Sequence, residues 1–194
     1  MNEWYGIASY FSALVASMAI RASYDRICRR VPVSDDRKGG REIVLLIAMG
    51  IAVLLLPIVY ATTGLLRFAD HPLTPSVFGA GLVLVALWLW LFARSHRDLG
   101  SNWSVTLQVR EGHRLITSGI YSRVRHPMYA SLFAHAFAQA LLLPNWVAGP
   151  AMLIAFTLMF AMRLGPEERM MTEHFGEEYA AYARSTKRLV PWIW

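Results

Sequence analysis

The chain has 194 residues, of which 56% are hydrophobic and 16% charged, with a formal net charge of +6 and a single cysteine. That apolar share exceeds the roughly 45 to 50% of an ordinary soluble domain and falls in blocks, which implies an integral membrane protein. One thiol excludes an internal disulfide and a cysteine-rich metal site, and the cations are not interleaved with aromatics as a nucleic-acid surface requires.

Five segments carry no Lys, Arg, Asp or Glu: Trp4 to Ile20, Ile43 to Leu66, Leu73 to Ala93, Met128 to Leu143 and Trp146 to Met162. A helical span needs about 17 to 25 such residues, so the pattern predicts an all-α integral membrane protein with five transmembrane helices. The last two segments are short and joined only by Pro144-Asn145, so they form a helical hairpin, with a buried soluble hairpin as the alternative reading.

No cleavable signal is expected, because Glu3 precedes the first apolar run and Arg21 follows it. Asp35 to Gly40 reads as a polar turn, Pro57 as a bend in the second span, and Gly79-Ala80-Gly81 as small-residue packing between helices. Of the 19 cations, seven lie between residues 21 and 41, one in the second loop, six between 94 and 125, none in the hairpin turn and five from Arg163 onward. Cytoplasmic loops concentrate Lys and Arg, so the N-terminus is placed outside, and the first loop, third loop and C-terminal tail inside. Cys28, in the first loop, is given no role.

The third loop, Ser95 to Arg125, holds too many apolar residues for a solvated linker, among them Trp103, Leu107 and Val109, and should fold against the spans. Trp103 to Val109 alternates as a short extended segment would. Gly165-Pro166-Glu167-Glu168 has proline at a favourable first helical position and acids in the first turn, which predicts a cytoplasmic helix starting there and running to about Arg184. Trp192 and Trp194 suit the headgroup layer. The chain thus reads as one membrane domain over 1–194: three N-terminal spans in 1–94, a cytoplasmic loop in 95–127, the hairpin in 128–162, and the C-terminal helix and tail in 163–194.

The polar chemistry sits at both ends of the hairpin. Gly119-Ile120-Tyr121, Arg125-His126-Pro127-Met128-Tyr129, Glu167-Glu168 and Phe175-Gly176-Glu177-Glu178-Tyr179 together closely resemble the isoprenylcysteine carboxyl methyltransferase family, over about Trp103 to Pro191. The chain's length is similar to that of compact prokaryotic members. The resemblance implies a site for S-adenosylmethionine, leaving as S-adenosylhomocysteine, between the third loop, the hairpin and the C-terminal helix. By matched position the cofactor contacts would be Gln108, Val109, His113, Arg114, Leu115, Ile116, Tyr121, His126, Pro127, Met128, Tyr129 and Glu167. Arg163 and Glu167 would be the catalytic groups, and Arg163 with Glu168 would meet the substrate. The implied partners are a lipid-like prenylated substrate and membrane lipids, with no nucleic acid and no metal.

These residue types suit such a ligand. A zwitterion with an added sulfonium charge calls for a carboxylate at its amine, donors at its carboxylate, and apolar or aromatic walls. Glu167 offers the first, His126 and Arg125 the second, and Leu115, Ile116, Met128, Tyr121 and Tyr129 the third. No Ser/His/Asp or Cys/His arrangement is apparent, and methylating a carboxylate needs none, since that group is already ionised at neutral pH. Arg163 would orient it with its planar guanidinium. His135 and Gln139, one turn apart in the fourth span, read as interhelical hydrogen-bond partners, and Tyr179 with Tyr182 as packing. His113, His126 and His135 lack zinc-site spacing. Alternatives are a membrane phospholipid N-methyltransferase, a nicotinamide-dependent reductase and a non-catalytic membrane scaffold.

Overall fold

The computed structural model describes residues 1–28, 33–36, 39–100, 108–110 and 114–191, with residues 25–28, 33–36 and 108–110 described by their backbone alone. Helices dominate. In chain order they are α1 (Trp4–Cys28), α2 (Gly40–Gly50), α3 (Leu56–Thr62), α4 (Pro75–Leu99), α5 (Pro127–Leu142), α6 (Ala151–Phe175) and α7 (Glu177–Ser185). A π-turn, Ile51–Leu55, joins α2 to α3 into one rod. That rod, Gly40–Thr62, and α4 are each long and apolar enough to cross a membrane.

The π-turn sits just before Pro57, whose missing N–H and ring disturb the helical ladder. Its loosened carbonyls are satisfied from neighbouring helices: Gln139 Nε2 donates to Ala52 O at 2.9 Å, and Tyr10 Oη donates to Val53 O at 2.7 Å. Gln139 is also bonded to Ala148 O and to the Tyr10 hydroxyl, so one side chain ties α1, the π-turn, α5 and the hairpin turn together.

Small residues let α5 approach its neighbours. A Cβ on Gly6 would lie 1.9 Å from Leu142 O, and one on Gly81 would lie 2.7 Å from Leu142 Cδ2, so α1 and α4 both press on the end of α5. Gly79, of the same predicted stripe, would meet nothing within 4 Å. The main core gathers Tyr10, Leu14, Trp88, Phe92 and Leu142 from these three helices, and a second cluster sets Tyr129 of α5 against Phe156 and Phe160 of α6.

Three expectations change. The helix predicted to start at Gly165 is the end of α6, which runs unbroken from Ala151 to Phe175 with Pro166 inside it. The break comes at Gly176, whose φ of 56° is the left-handed conformation glycine tolerates, and α7 follows. Pro166 does not end the helix because tertiary contacts through its own turn hold it, as the site shows below. Second, α4 continues to Leu99, so the third loop, expected from Ser95, starts five residues later, at Gly100. Third, Asp35 and Asp36, read as a turn, belong to strand β1 (Val33–Asp36), which pairs antiparallel with β2 (Gln108–Arg110). A partner so distant leaves no local signature. The rest of the predicted extended segment from Trp103, and Trp192 and Trp194, lie outside the described residues.

At the end of the bundle away from α2's start, Asn145 closes the hairpin turn. Its Nδ2 donates to Leu66 O and Asp70 Oδ1, both at 2.7 Å, while its Oδ1 accepts from Val147 and Ala148 N–H.

Candidate active site at the hairpin base

The segment before α5 is built by two fixings. Gly119 adopts φ of 63°, and Asp98 at the end of α4 accepts from Ile120 N–H at 2.8 Å. A Cβ on Gly119 would lie 2.2 Å from that carboxylate, so both conformation and space require glycine. The chain after α7 then returns alongside: Arg125 N–H donates to Lys187 O at 2.7 Å and His126 N–H to Arg188 O at 2.9 Å. Tyr182 Oη adds a bond to Tyr121 O at 2.6 Å. Pro127 follows at the first position of α5, where a missing N–H costs nothing.

His126 stands between two carboxylates of α6. Its Nδ1 lies 3.5 Å from Glu167 Oε1 and its Nε2 lies 3.4 Å from Glu168 Oε1. Burial alone would lower the imidazole's pKa, but the hydrogen bonds and charges of both glutamates overcome it and raise the value above the usual one. Burial likewise works against Glu167, yet the His126 hydrogen bond, with Arg163 and Tyr129, holds its carboxyl below the usual range. Glu168 is lowered as well, against burial, by His126, Arg188 and Arg125.

The neighbouring carboxylates face different groups because successive helical residues diverge by about 100°. Glu167 lines a cavity, accepts from the Tyr129 hydroxyl and lies 3.7 Å from Arg163 Nε, one turn back on α6. Arg163 Nη1 in turn lies 3.4 Å from Glu42 Oε1 of α2. Glu168 is absent from that cavity's lining: it binds Arg125 Nη2 at 2.6 Å and Arg188 Nη2 at 2.9 Å. Arg125 also donates to the carbonyls of Ala183 and Thr186, bracing the returning chain. These contacts cross Pro166 on both sides and keep α6 continuous.

The cavity has a volume of about 610 Å³, within the range of small-molecule sites. Its polar end is formed by Arg114, Arg125, His126, Arg163 and Glu167, with Tyr121 and Tyr129 beside them. From there it runs between the helices, walled by Leu14, Met49, Val53, Trp88, Leu132 and Met152. Of the residues singled out from sequence, Arg114, Leu115, Ile116, Tyr121, His126, Met128, Tyr129, Arg163 and Glu167 all line this one space. Pro127 is buried behind it; the side chains of Gln108 and Val109, and all of His113, lie outside the described residues. Tyr179 and Tyr182, expected only to pack, are buried and also line the cavity, with burial pushing the Tyr179 hydroxyl up to about 12.

Sequence reasoning passed over Glu42 and Arg188. Glu42 is the one acid in the first turn of α2, directly before an apolar run, and an acid in that place is a readable sign of a cationic partner. Arg188 carried no such sign, because its contact depends on the chain's return past α7.

The family model for isoprenylcysteine carboxyl methyltransferases matches residues 79–173. Protein-S-isoprenylcysteine O-methyltransferase B of Arabidopsis thaliana is 27% identical over 115 residues, covering 58% of each chain. The Homo sapiens protein-S-isoprenylcysteine O-methyltransferase is 30% identical over 115 residues, 58% of this chain and 40% of that one. The Schizosaccharomyces pombe enzyme is 33% identical over 81 residues, 42% of this chain and 34% of that one. The chain thus spans less than two thirds of these relatives' lengths. A solved structure of the eukaryotic intramembrane Ras methyltransferase ICMT superposes with a TM-score of 0.55 at 24% identity, over 78% of this chain and 50% of that one, a likeness of fold. The matched stretch contains the whole hairpin, His126 and Tyr129 at its entry and Arg163, Glu167 and Glu168 at its exit, so the part of the chain that is similar to the isoprenylcysteine carboxyl methyltransferase family is the part that builds the cavity's polar end.

Proposed function

We propose that the chain is a methyltransferase that moves a methyl group from S-adenosylmethionine to the carboxylate of a lipid-modified, prenylcysteine-like acceptor. It would act at the cytoplasmic face of a membrane that it crosses five times, its N-terminus outside and α7 inside. The observation that carries this reading is one cavity in which Glu167, His126, Tyr129 and Arg163 meet at one end and mainly apolar helix faces continue at the other.

The donor set fits the methyl donor. Glu167 is held ionised and faces the cavity, as an amine partner should; Arg114 and Arg125 supply cations for a carboxylate; Tyr121, Met128, Leu115 and Ile116 supply walls. Family resemblance adds Gln108, Val109 and His113 of the loop and Pro127 at the head of α5. When bound, S-adenosylmethionine supplies the electrophilic methyl group.

The chain's own residues do the rest by placement. His126 faces a glutamate from each ring nitrogen, which favours the imidazolium, so it donates and does not serve as a base. That suits a carboxyl acceptor, which has a pKa near ~3.5 and needs no deprotonation. Arg163 orients the acceptor carboxylate while sharing its charge with Glu42 and Glu167, which leaves the nucleophile loosely held. The apolar cavity excludes water from the reacting oxygen. Glu168 acts one step removed, fixing His126 and Arg125.

Calorimetric titration of the full chain with S-adenosylhomocysteine tests the donor site. Wild type binds, and Glu167→Gln and His126→Ala each weaken binding by about tenfold or more, the loss of one charge-assisted contact. Labelled methyl donor offered with prenylcysteine and with aminophospholipid then reads the acceptor. Absence of product binding, or label found only on the amine, refutes the reading.

A further inference from the structure

The apolar arm of the cavity is not uniformly apolar. Trp88 of α4 and His135 of α5 both line it, their rings parallel within 3° and their centroids 3.6 Å apart. They are 1% and 3% exposed, and neither the Trp88 Nε1–H nor the His135 Nε2 has a hydrogen-bond partner among the described residues. The polar side chains around them behave otherwise. Tyr10, whose ring also stacks on His135, bonds Val53 O and Gln139, and Gln139 is bonded through both ends of its amide. Ser17, also lining the arm, is bonded to Leu14 O. Buried polar groups are nearly always paired, so two orphans side by side on the wall of one cavity point to a ligand.

The ligand's chemistry follows from the donors. An indole nitrogen only donates, so the missing partner of Trp88 is an acceptor atom; imidazole Nε2 donates or accepts according to its tautomer. A single hydroxyl, ether or carbonyl oxygen satisfies both. Its position follows from the helix: His135 lies six residues beyond Tyr129 on α5, about 9 Å along the axis at 1.5 Å per residue. We infer that the acceptor whose carboxylate meets Arg163 carries an oxygen function in its chain, about 9 Å from the reacting end, and that Trp88 and His135 select it over an uninterrupted hydrocarbon. This rests on the carboxyl methyltransferase reading and narrows its substrate class to oxygenated lipid acids or thioethers.

The test compares two acceptors that differ at one position, a prenylcysteine analogue with an ether oxygen at the matching depth of its chain and its all-carbon counterpart. Wild type should show a kcat/KM ratio of about ten or more for the ether, because a site with unpaired polar groups discriminates against the analogue lacking their partner. His135→Phe and Trp88→Phe keep the stacked rings and remove the nitrogens, and each should bring the ratio towards one. S-adenosylhomocysteine titration of each variant reports that it is folded. Equal rates for the two acceptors in wild type, or a ratio unmoved in both variants, overturns the inference while leaving carboxyl methylation standing. Transfer to neither acceptor overturns the underlying reading and this one with it.

Discussion

Glu168→Gln isolates the brace behind the site. The carboxylate is 18% exposed and faces Arg125, at 9%, and Arg188, at 38%. Neutralising it leaves the buried Arg125 guanidinium without its carboxylate countercharge, held by the Ala183 and Thr186 carbonyls. Breaking a buried pair from one side costs about 3–5 kcal/mol, and partial exposure places this pair at the lower end, about 3 kcal/mol. The Arg188 arm is more than a third exposed, and screening by solvent reduces its worth to about 0–1 kcal/mol. At about 2–4 °C per kcal/mol for a chain of this size, Glu168→Gln should lower the melting temperature by about 6–12 °C, and Arg188→Met by no more than about 4 °C. Thermal unfolding of the purified, lipid-solubilised protein followed by near-UV circular dichroism gives both numbers, with Arg125→Met as the third arm. A Glu168→Gln shift under about 3 °C, or equal losses from Arg125→Met and Arg188→Met, would refute burial as the source of the pair's strength.

Gly6→Ala should strongly destabilise the bundle, since its methyl would overlap the Leu142 carbonyl; the measure is folded yield and melting temperature, with Gly79→Ala, in open space, as the neutral control. Gln139→Leu strands the carbonyls of Ala52 and Ala148 and should cost about 1–3 kcal/mol by denaturant titration, with no loss refuting its role as the tie across the π-turn. The pH profile has two limbs. His126 has a raised pKa, so its contribution is complete below the ordinary imidazole value near ~6.5 and is lost as pH rises through the raised one. Glu167 and Glu168 have lowered values, so theirs is complete above the ordinary carboxyl value near ~4.3 and is lost as pH falls through the lowered ones. Melting temperature should therefore decline on the alkaline side, and His126→Gln should flatten that limb.

Helices were legible wherever hydropathy alone decides them: each of the five uncharged blocks is mostly helical backbone, although Thr63 to Leu66 and Trp146 to Pro150 lie outside the helices. Boundaries were not, because charged ends such as Arg94 to Asp98 continue a helix without changing its period. Pro166 misled for a related reason. A proline at a composition change looks like a helix start, and only the contacts of Arg163, Glu167 and Glu168 across it show why the rod continues. The gathering of His126, Tyr129, Arg163 and Glu167 was foreseeable from hairpin geometry, since two antiparallel helices return their outer ends to one level. The parting of Glu167 from Glu168 was foreseeable in principle from the helical twist, but which one would face the cavity depended on Arg125 and the returning tail. Trp88 with His135 could not be paired from sequence, as α4 and α5 are separated by the long third loop.

In the membrane reading proposed above, the unbroken α6 would make bilayer thickness an input to the chemistry. At 25 residues it is a lever about 37 Å long, with Met152 and Phe156 buried in the helical core towards one end and Arg163, Glu167 and Glu168 towards the other. A lever that leans to match thinner or thicker acyl layers swings its acidic tip against the histidine on α5, so the host membrane's chain length would tune turnover with no residue changed.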